Sequence, residues 1–146
     1  MAGARARARA GVRAQARDRA RTIARAETRI REMTSEHELQ SELVKWVREK
    51  YTKIIIFSIP NAGVRSYKTA NWFNSEGLTA GVPDLFLAYP KGGYSGLFIE
   101  IKSNKGHLTI KQSKIHSALR EAGYRCVVVS SLEYGINVIK EYINGE

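Results

Sequence analysis

The chain has 146 residues, 26% of them charged, and a formal net charge of +10. That length allows one domain with a real core and a tail, and the charge points to a polyanionic partner. A single cysteine excludes an internal disulfide, no apolar run approaches transmembrane length, and the N-terminus lacks the apolar centre of a secretory signal, so a protein of a reducing, intracellular compartment with no membrane partner is expected.

The charge is unevenly spread. Residues 1–32 hold ten Arg, three acids and no Lys, for +7, and twenty of these thirty-two positions are Ala or Arg. Residues 33–146 hold ten Lys, four Arg and eleven acids, for +3. This switch predicts two units: a basic extension over 1–32, disordered or a solvated helix, and a folded domain over 33–146. Three readings of the extension stay open. It is sequence upstream of an authentic start at Met33, a basic arm that grips phosphates, or a transit peptide, against which its lack of Ser counts.

From Met33 the punctuation is regular. Glu36 to about Tyr51 reads as an amphipathic helix with Leu39, Leu43, Trp46 and Val47 on one stripe. Lys53–Ile59 reads as a strand closed by the loop signal Pro60-Asn61-Ala62-Gly63, and Tyr67–Glu76 as a short helix stopped by Gly77. Leu85–Ala88 and Leu97–Lys102 read as strands that pair across a turn at Lys91-Gly92-Gly93. Thr109-x-x-Gln112 is a capping box opening a helix to about Ala122, with Gly123 as its stop. Arg125–Val129 follows as a buried strand around Cys126, then Ser130-x-x-Glu133 opens a last helix with Leu132, Ile136, Ile139 and Ile143 inward. This order predicts an α/β fold, one mixed sheet with helices packed on it.

Chemistry concentrates in two strands. Gly81-Val82-Pro83-Asp84 ends at the mouth of one, and Glu100-x-Lys102 lies inside the other sixteen residues later. Alternation puts Phe98, Glu100 and Lys102 on one side. Two acids and an ammonium on one patch can hold a divalent metal against a phosphodiester: Mg²⁺ needs only Asp84, Glu100, a backbone carbonyl such as that of Ile101, and waters. Such an ion lowers the pKa of water and polarises phosphate. Lys102 would orient or help deprotonate the attacking water and offset developing charge. Each residue alone also has an ordinary reading, Asp84 as a strand opener, Glu100 as a solvated strand residue and Lys102 as a cross-strand ion-pair partner. Their combination favours the catalytic one.

Glu36 falls at the inward edge of the first helix, whereas Glu38 and Glu42 point away; it either answers the helix dipole or touches the metal through a water. Gln112 either completes the Thr109 capping box or reaches the catalytic patch. His107 and His116 have no second ligand at a familiar spacing and read as ordinary polar positions, and His37 as exposed. Arg65, Tyr67 and Lys68, with Trp72 and Phe73 close behind, suit a loop that grips a nucleic-acid strand, although the two large rings also suit the core. Lys105, Lys111 and Lys114 extend a phosphate track.

Glu36-x-x-x-Gln40, Asn61-x-Gly63-x-Arg65, Gly81-Val82-Pro83-Asp84, Leu97-Phe98-Ile99-Glu100-Ile101-Lys102, the downstream Gln112 and Gly123-Tyr124 form an ordered set over residues 34–143. This set resembles the virus-type replication-repair nuclease (VRR-NUC) domain of the PD-(D/E)xK nuclease superfamily. The resemblance implies a restriction-endonuclease-like core, a central mixed four-stranded β-sheet flanked by α-helices, and dependence on Mg²⁺ or Mn²⁺. It implies Asp84 and Glu100 as metal ligands, Lys102 as the catalytic lysine, and Gln112 and Glu36 as accessory site residues. Small stand-alone members look like phage or prophage proteins similar to Holliday junction resolvases. A homodimer cutting branched, Holliday-junction or flap DNA inside a bacterial host cell is therefore expected, without a nucleotide cofactor. The competing class is a non-catalytic nucleic-acid-binding protein with a nuclease-like fold.

Overall fold

The computed structural model describes residues 15, 19, 21, 35–60, 75–103 and 106–145. The chain divides into two compact units, Met1–Met33 and Thr34–Glu146. In the first, the described residues Gln15, Arg19 and Arg21 are helical. The second holds seven described elements: α1 (Glu36–Lys50), β1 (Ile55–Ser58), β2 (Leu85–Ala88), β3 (Leu97–Ile101), α2 (Ile110–Glu121), β4 (Arg125–Val129) and α3 (Leu132–Asn144).

The strands form one mixed sheet in the order β1-β2-β3-β4. β1 and β2 run antiparallel, as do β2 and β3, with Leu85 opposite Ile99 and Leu87 opposite Leu97. β3 and β4 are parallel, because α2 carries the chain back across the sheet between them. Alternation sends Leu85, Leu87, Leu97, Ile99 and Ile101 to one face, where all are buried with Leu39, Leu43 and Val47 of α1 and Val138, Ile139 and Ile143 of α3. Each such side chain contributes roughly 1.5–3 kcal/mol by leaving water. This face is the core.

The opposite face carries an aromatic row running across the sheet. Phe57 meets Phe86 at 5.7 Å between ring centroids, Phe86 meets Phe98 at 4.5 Å, and Phe98 meets Tyr124 at 5.2 Å. Glu100 lies two residues beyond Phe98 on the same side, so the acid sits one row above the rings. α2 packs against β4 on this face and brings its one buried residue, His116, beside Glu100.

The sequence placed β2 and β4 as observed, while β1 is confined to Ile55–Ser58. The expected helix over Tyr67–Glu76 falls mostly outside the described residues. α3 departs in two details. Its N-cap is Ser131, whose hydroxyl accepts from the Tyr134 N–H at 3.2 Å, rather than Ser130. Its buried face is Gly135, Val138, Ile139, Tyr142 and Ile143, with Leu132 and Ile136 on the flank. A reading weighted to branched aliphatics passes over a glycine that packs closely and a tyrosine whose hydroxyl finds the Tyr89 carbonyl at 2.7 Å. Among the described residues no helix is long and apolar enough to cross a membrane.

Candidate active site

Glu100 lies inside β3 and is 1% exposed. An ionised carboxylate taken out of water needs charged or hydrogen-bonding partners. Oε1 has two: Lys102 Nζ at 2.8 Å, and Gln112 Nε2, which donates from α2. Lys102 reaches it because residues two apart on a strand share a face. Gln112 reaches it because α2 starts directly above. The amide oxygen of Gln112 accepts from the Thr109 N–H at 2.9 Å, and Thr109 Oγ1 accepts from the Gln112 N–H at 3.3 Å. The two sequence readings of Gln112 are thus one arrangement, in which the capping box fixes the carbonyl end of the amide and aims its nitrogen at Glu100.

Asp84 stands just before β2. Its backbone carbonyl accepts from the Ile59 N–H at 2.8 Å, and its Oδ2 accepts from the Ile101 N–H at 2.8 Å. Continuing the β2–β3 register places Pro83 opposite Ile101. Proline has no N–H, so it cannot serve the Ile101 carbonyl, and the Asp84 side chain takes the Ile101 N–H that a strand carbonyl would otherwise receive. Gly81, at φ +98°, presses its backbone onto the start of α2: a Cβ built there would lie 3.0 Å from the Lys111 carbonyl and 3.1 Å from the Gln112 nitrogen. The loop that delivers Asp84 and the helix that delivers Gln112 are therefore in direct contact.

Glu36 enters from the first turn of α1. Its Oε1 accepts from the Ser103 N–H at 2.8 Å, one residue past Lys102. Burial pulls the Lys102 ammonium downward, but the hydrogen bond and charge of Glu100, with the charges of Glu36 and Asp84, raise its pKa above the ordinary 10.5. Lys102 is consequently protonated at neutral pH.

Asp84, at the mouth of β2, with Glu100 and the Ile101 carbonyl of β3, could offer a cation an all-oxygen donor set. Among the described residues no group of three or more His, Cys, Asp or Glu could hold a metal ion. Carboxylate and carbonyl oxygens are the donors that a hard cation takes beside its waters, whereas a closed cage draws on nitrogen and sulfur ligands.

Lys111 and Lys114 are exposed on α2, and Arg65, Tyr67, Lys68 and Lys105 fall outside the described residues. His37 and His107 are exposed. His116 is the correction. It is fully buried, with Nε2 3.8 Å from Glu100 Oε2. The signal for it is its position one helical turn after Gln112, on the same side of α2.

A mixed sheet with an Asp at one strand mouth, a buried Glu-x-Lys in the next strand and a helical Gln over the acid is the arrangement that the resemblance to the PD-(D/E)xK nucleases implies. The sequence profile of the VRR-NUC domain matches residues 21–132, beginning inside the Ala/Arg-rich segment. A solved structure described as "VRR_NUC domain protein" is 30% identical, covers 75% of this chain and 88% of that one, and superposes with a TM-score of 0.65. A second, described as "VRR_NUC domain", is 22% identical over 71% of this chain and 97% of that one, with a TM-score of 0.48. No curated protein matches the chain. The chain belongs to the VRR-NUC family, and its activity is accordingly of the nuclease type, with DNA as the substrate class.

Proposed function

We propose that the chain is a divalent-metal-dependent DNA endonuclease with Asp84, Glu100 and Lys102 at its centre, a nuclease domain over 33–146, and a preference for branched or flapped DNA. The observation that carries this reading is the convergence on Glu100: a nearly fully buried acid met by the Lys102 ammonium and the Gln112 amide, with Asp84 tied to the intervening Ile101 N–H. A protein that only binds DNA has no use for buried carboxylates, which repel phosphate.

In this reading Asp84, Glu100 and the Ile101 carbonyl would hold Mg²⁺ or Mn²⁺, and Glu36 would be an accessory residue acting through a water. The ion, when bound, supplies Lewis-acid polarisation of the scissile phosphate and eases ionisation of water. Lys102 enters the metal-free site as a cation: burial lowers its pKa, but the neighbouring acids raise it on balance. It orients the attacking water by donating to it and offsets charge as the phosphate becomes pentacoordinate. Gln112 fixes Glu100 through Oε1. Arg65, Tyr67, Lys68, Lys105, Lys111 and Lys114 hold the DNA backbone, and the basic segment over 1–32 adds sequence-independent grip. A symmetric homodimer would place two such sites on opposite strands of a branch, the geometry of paired nicks. Such a role belongs to phage replication, recombination or repair in a bacterial cell.

The test is cleavage of labelled four-way junction, flap and linear duplex DNA with Mg²⁺, Mn²⁺ or EDTA, beside a Lys102→Ala variant checked for folding by circular dichroism. Cutting is expected with metal, is lost in EDTA and in the variant, and is fastest on a branched substrate. Tight binding without cutting under either metal would overturn the catalytic reading. Equal rates on all three substrates would overturn the structural preference.

A further inference from the structure

His116 is a buried polar residue to which neither the capping of α2 nor the catalytic set gives a role. It is 0% exposed, and among the described residues neither ring nitrogen has a hydrogen-bond partner. Glu100 Oε2 is equally buried and equally without one. These orphaned groups face each other, Nε2 to Oε2, at 3.8 Å. Two unsatisfied buried polar atoms this close are costly unpaired and favourable paired. A closure of roughly 0.7 Å brings them into hydrogen-bond range.

We infer that His116 donates through its Nε2–H to Glu100 Oε2 and is a positioning residue for that carboxylate. Gln112 and His116 stand four residues apart, one helical turn, so α2 grips Glu100 with two prongs, one per oxygen. A carboxylate offers about four lone-pair sites. Lys102, Gln112 and His116 would occupy three and leave one, on Oε2, for a cation. The inference rests on the reading of Glu100 as a metal ligand. Partners that orient a ligand in this way are worth about 10–100-fold in metal affinity when removed.

The experiment measures Mn²⁺ binding to the full chain without DNA, by electron paramagnetic resonance titration, and thermal melting in EDTA. The variants are His116→Leu, His116→Gln, His116→Asn and Glu100→Gln. The leucine variant is expected to melt cooperatively in EDTA yet bind Mn²⁺ about 10–100-fold more weakly. Glutamine, whose Nε2 can stand where the imidazole Nε2 stands, restores most of that affinity. Asparagine, whose amide reaches only the Nδ1 position, does not, and this pair decides the matter even if the leucine variant fails to fold. Wild-type affinity in the leucine or asparagine variant, beside a weakened Glu100→Gln, would overturn the positioning role alone. Undiminished affinity in Glu100→Gln would remove the metal reading and this inference with it.

Discussion

Replacing Gly81 by alanine tests how Asp84 is delivered. Two glycines near this loop share almost the same backbone, Gly77 at φ +100° and Gly81 at φ +98°. Holding an L-residue in the left-handed region costs roughly 1–2 kcal/mol. Gly77 has nothing within 4 Å of an added Cβ, so Gly77→Ala meets that cost alone. At Gly81 the Cβ would also lie 3.0 Å from the Lys111 carbonyl and 3.1 Å from the Gln112 nitrogen. These are backbone atoms in the first turn of a helix and cannot swing aside. Overpacking of this kind adds about 1–3 kcal/mol. At roughly 4 °C per kcal/mol for a domain of this size, Gly77→Ala should lose about 4–8 °C and Gly81→Ala about 8–20 °C. Thermal melting by circular dichroism in EDTA measures both. Relief at Gly81 moves the loop away from α2 and draws Asp84 off the Ile101 N–H, so cleavage should fall further in Gly81→Ala than in Gly77→Ala. Equal melting temperatures for the two variants would refute the contact argument, and a Gly81→Ala variant melting with wild type would refute the whole of it.

Other outcomes follow from the same structure. Lys102 has a raised pKa, so the stability it draws from Glu100 is fully present below its unfolded value of 10.5 and is lost as pH rises through the folded value. Denaturation midpoints of wild type and Lys102→Met should therefore differ at neutral pH and converge in strong alkali; a gap constant with pH would contradict this. Cys126 is 7% exposed, and burial raises its thiol pKa despite the opposing charge of Arg120. It should react with Ellman's reagent far more slowly in the native protein than in denaturant, and equal rates would show the thiol to be accessible. Deleting residues 1–32 should weaken duplex DNA binding and flatten its dependence on salt, by roughly 0.9 in log–log slope for each phosphate the segment neutralises. An unchanged slope would mean that the segment does not touch DNA.

Much of the site can be read from the chain because strands impose a rigid rule. Alternation alone puts Glu100 and Lys102 on one face, and the pairing of β2 with β3 brings Asp84 to them. Helical positions are harder. Gln112 supports two competing readings, and only in the folded chain does one amide serve both. His116 escapes a search for ligand spacing, whereas what matters is its turn-by-turn relation to Gln112. Ser130 and Ser131 are equally good caps by composition, and the choice depends on where α3 docks. The buried face of α3 slips for a related reason: Gly135 and Tyr142 look unlike core until their neighbours are known.

The way the site is distributed along the chain also bears on how it comes together. Asp84, Glu100, Lys102, Gln112 and His116 all lie within residues 84–116, inside a hairpin and the helix that follows it. Glu36 joins across a separation of 67 residues, through one bond to Ser103. Closing a long loop costs more chain entropy than closing a short one, and the first turn of a helix is where fraying begins. The acids and their clamp therefore lie in one local stretch of chain, and Glu36 carries the largest loop-closure cost of the set. An opening confined to the start of α1 would release Glu36 alone, giving the protein a way to loosen its margin without dismantling its centre.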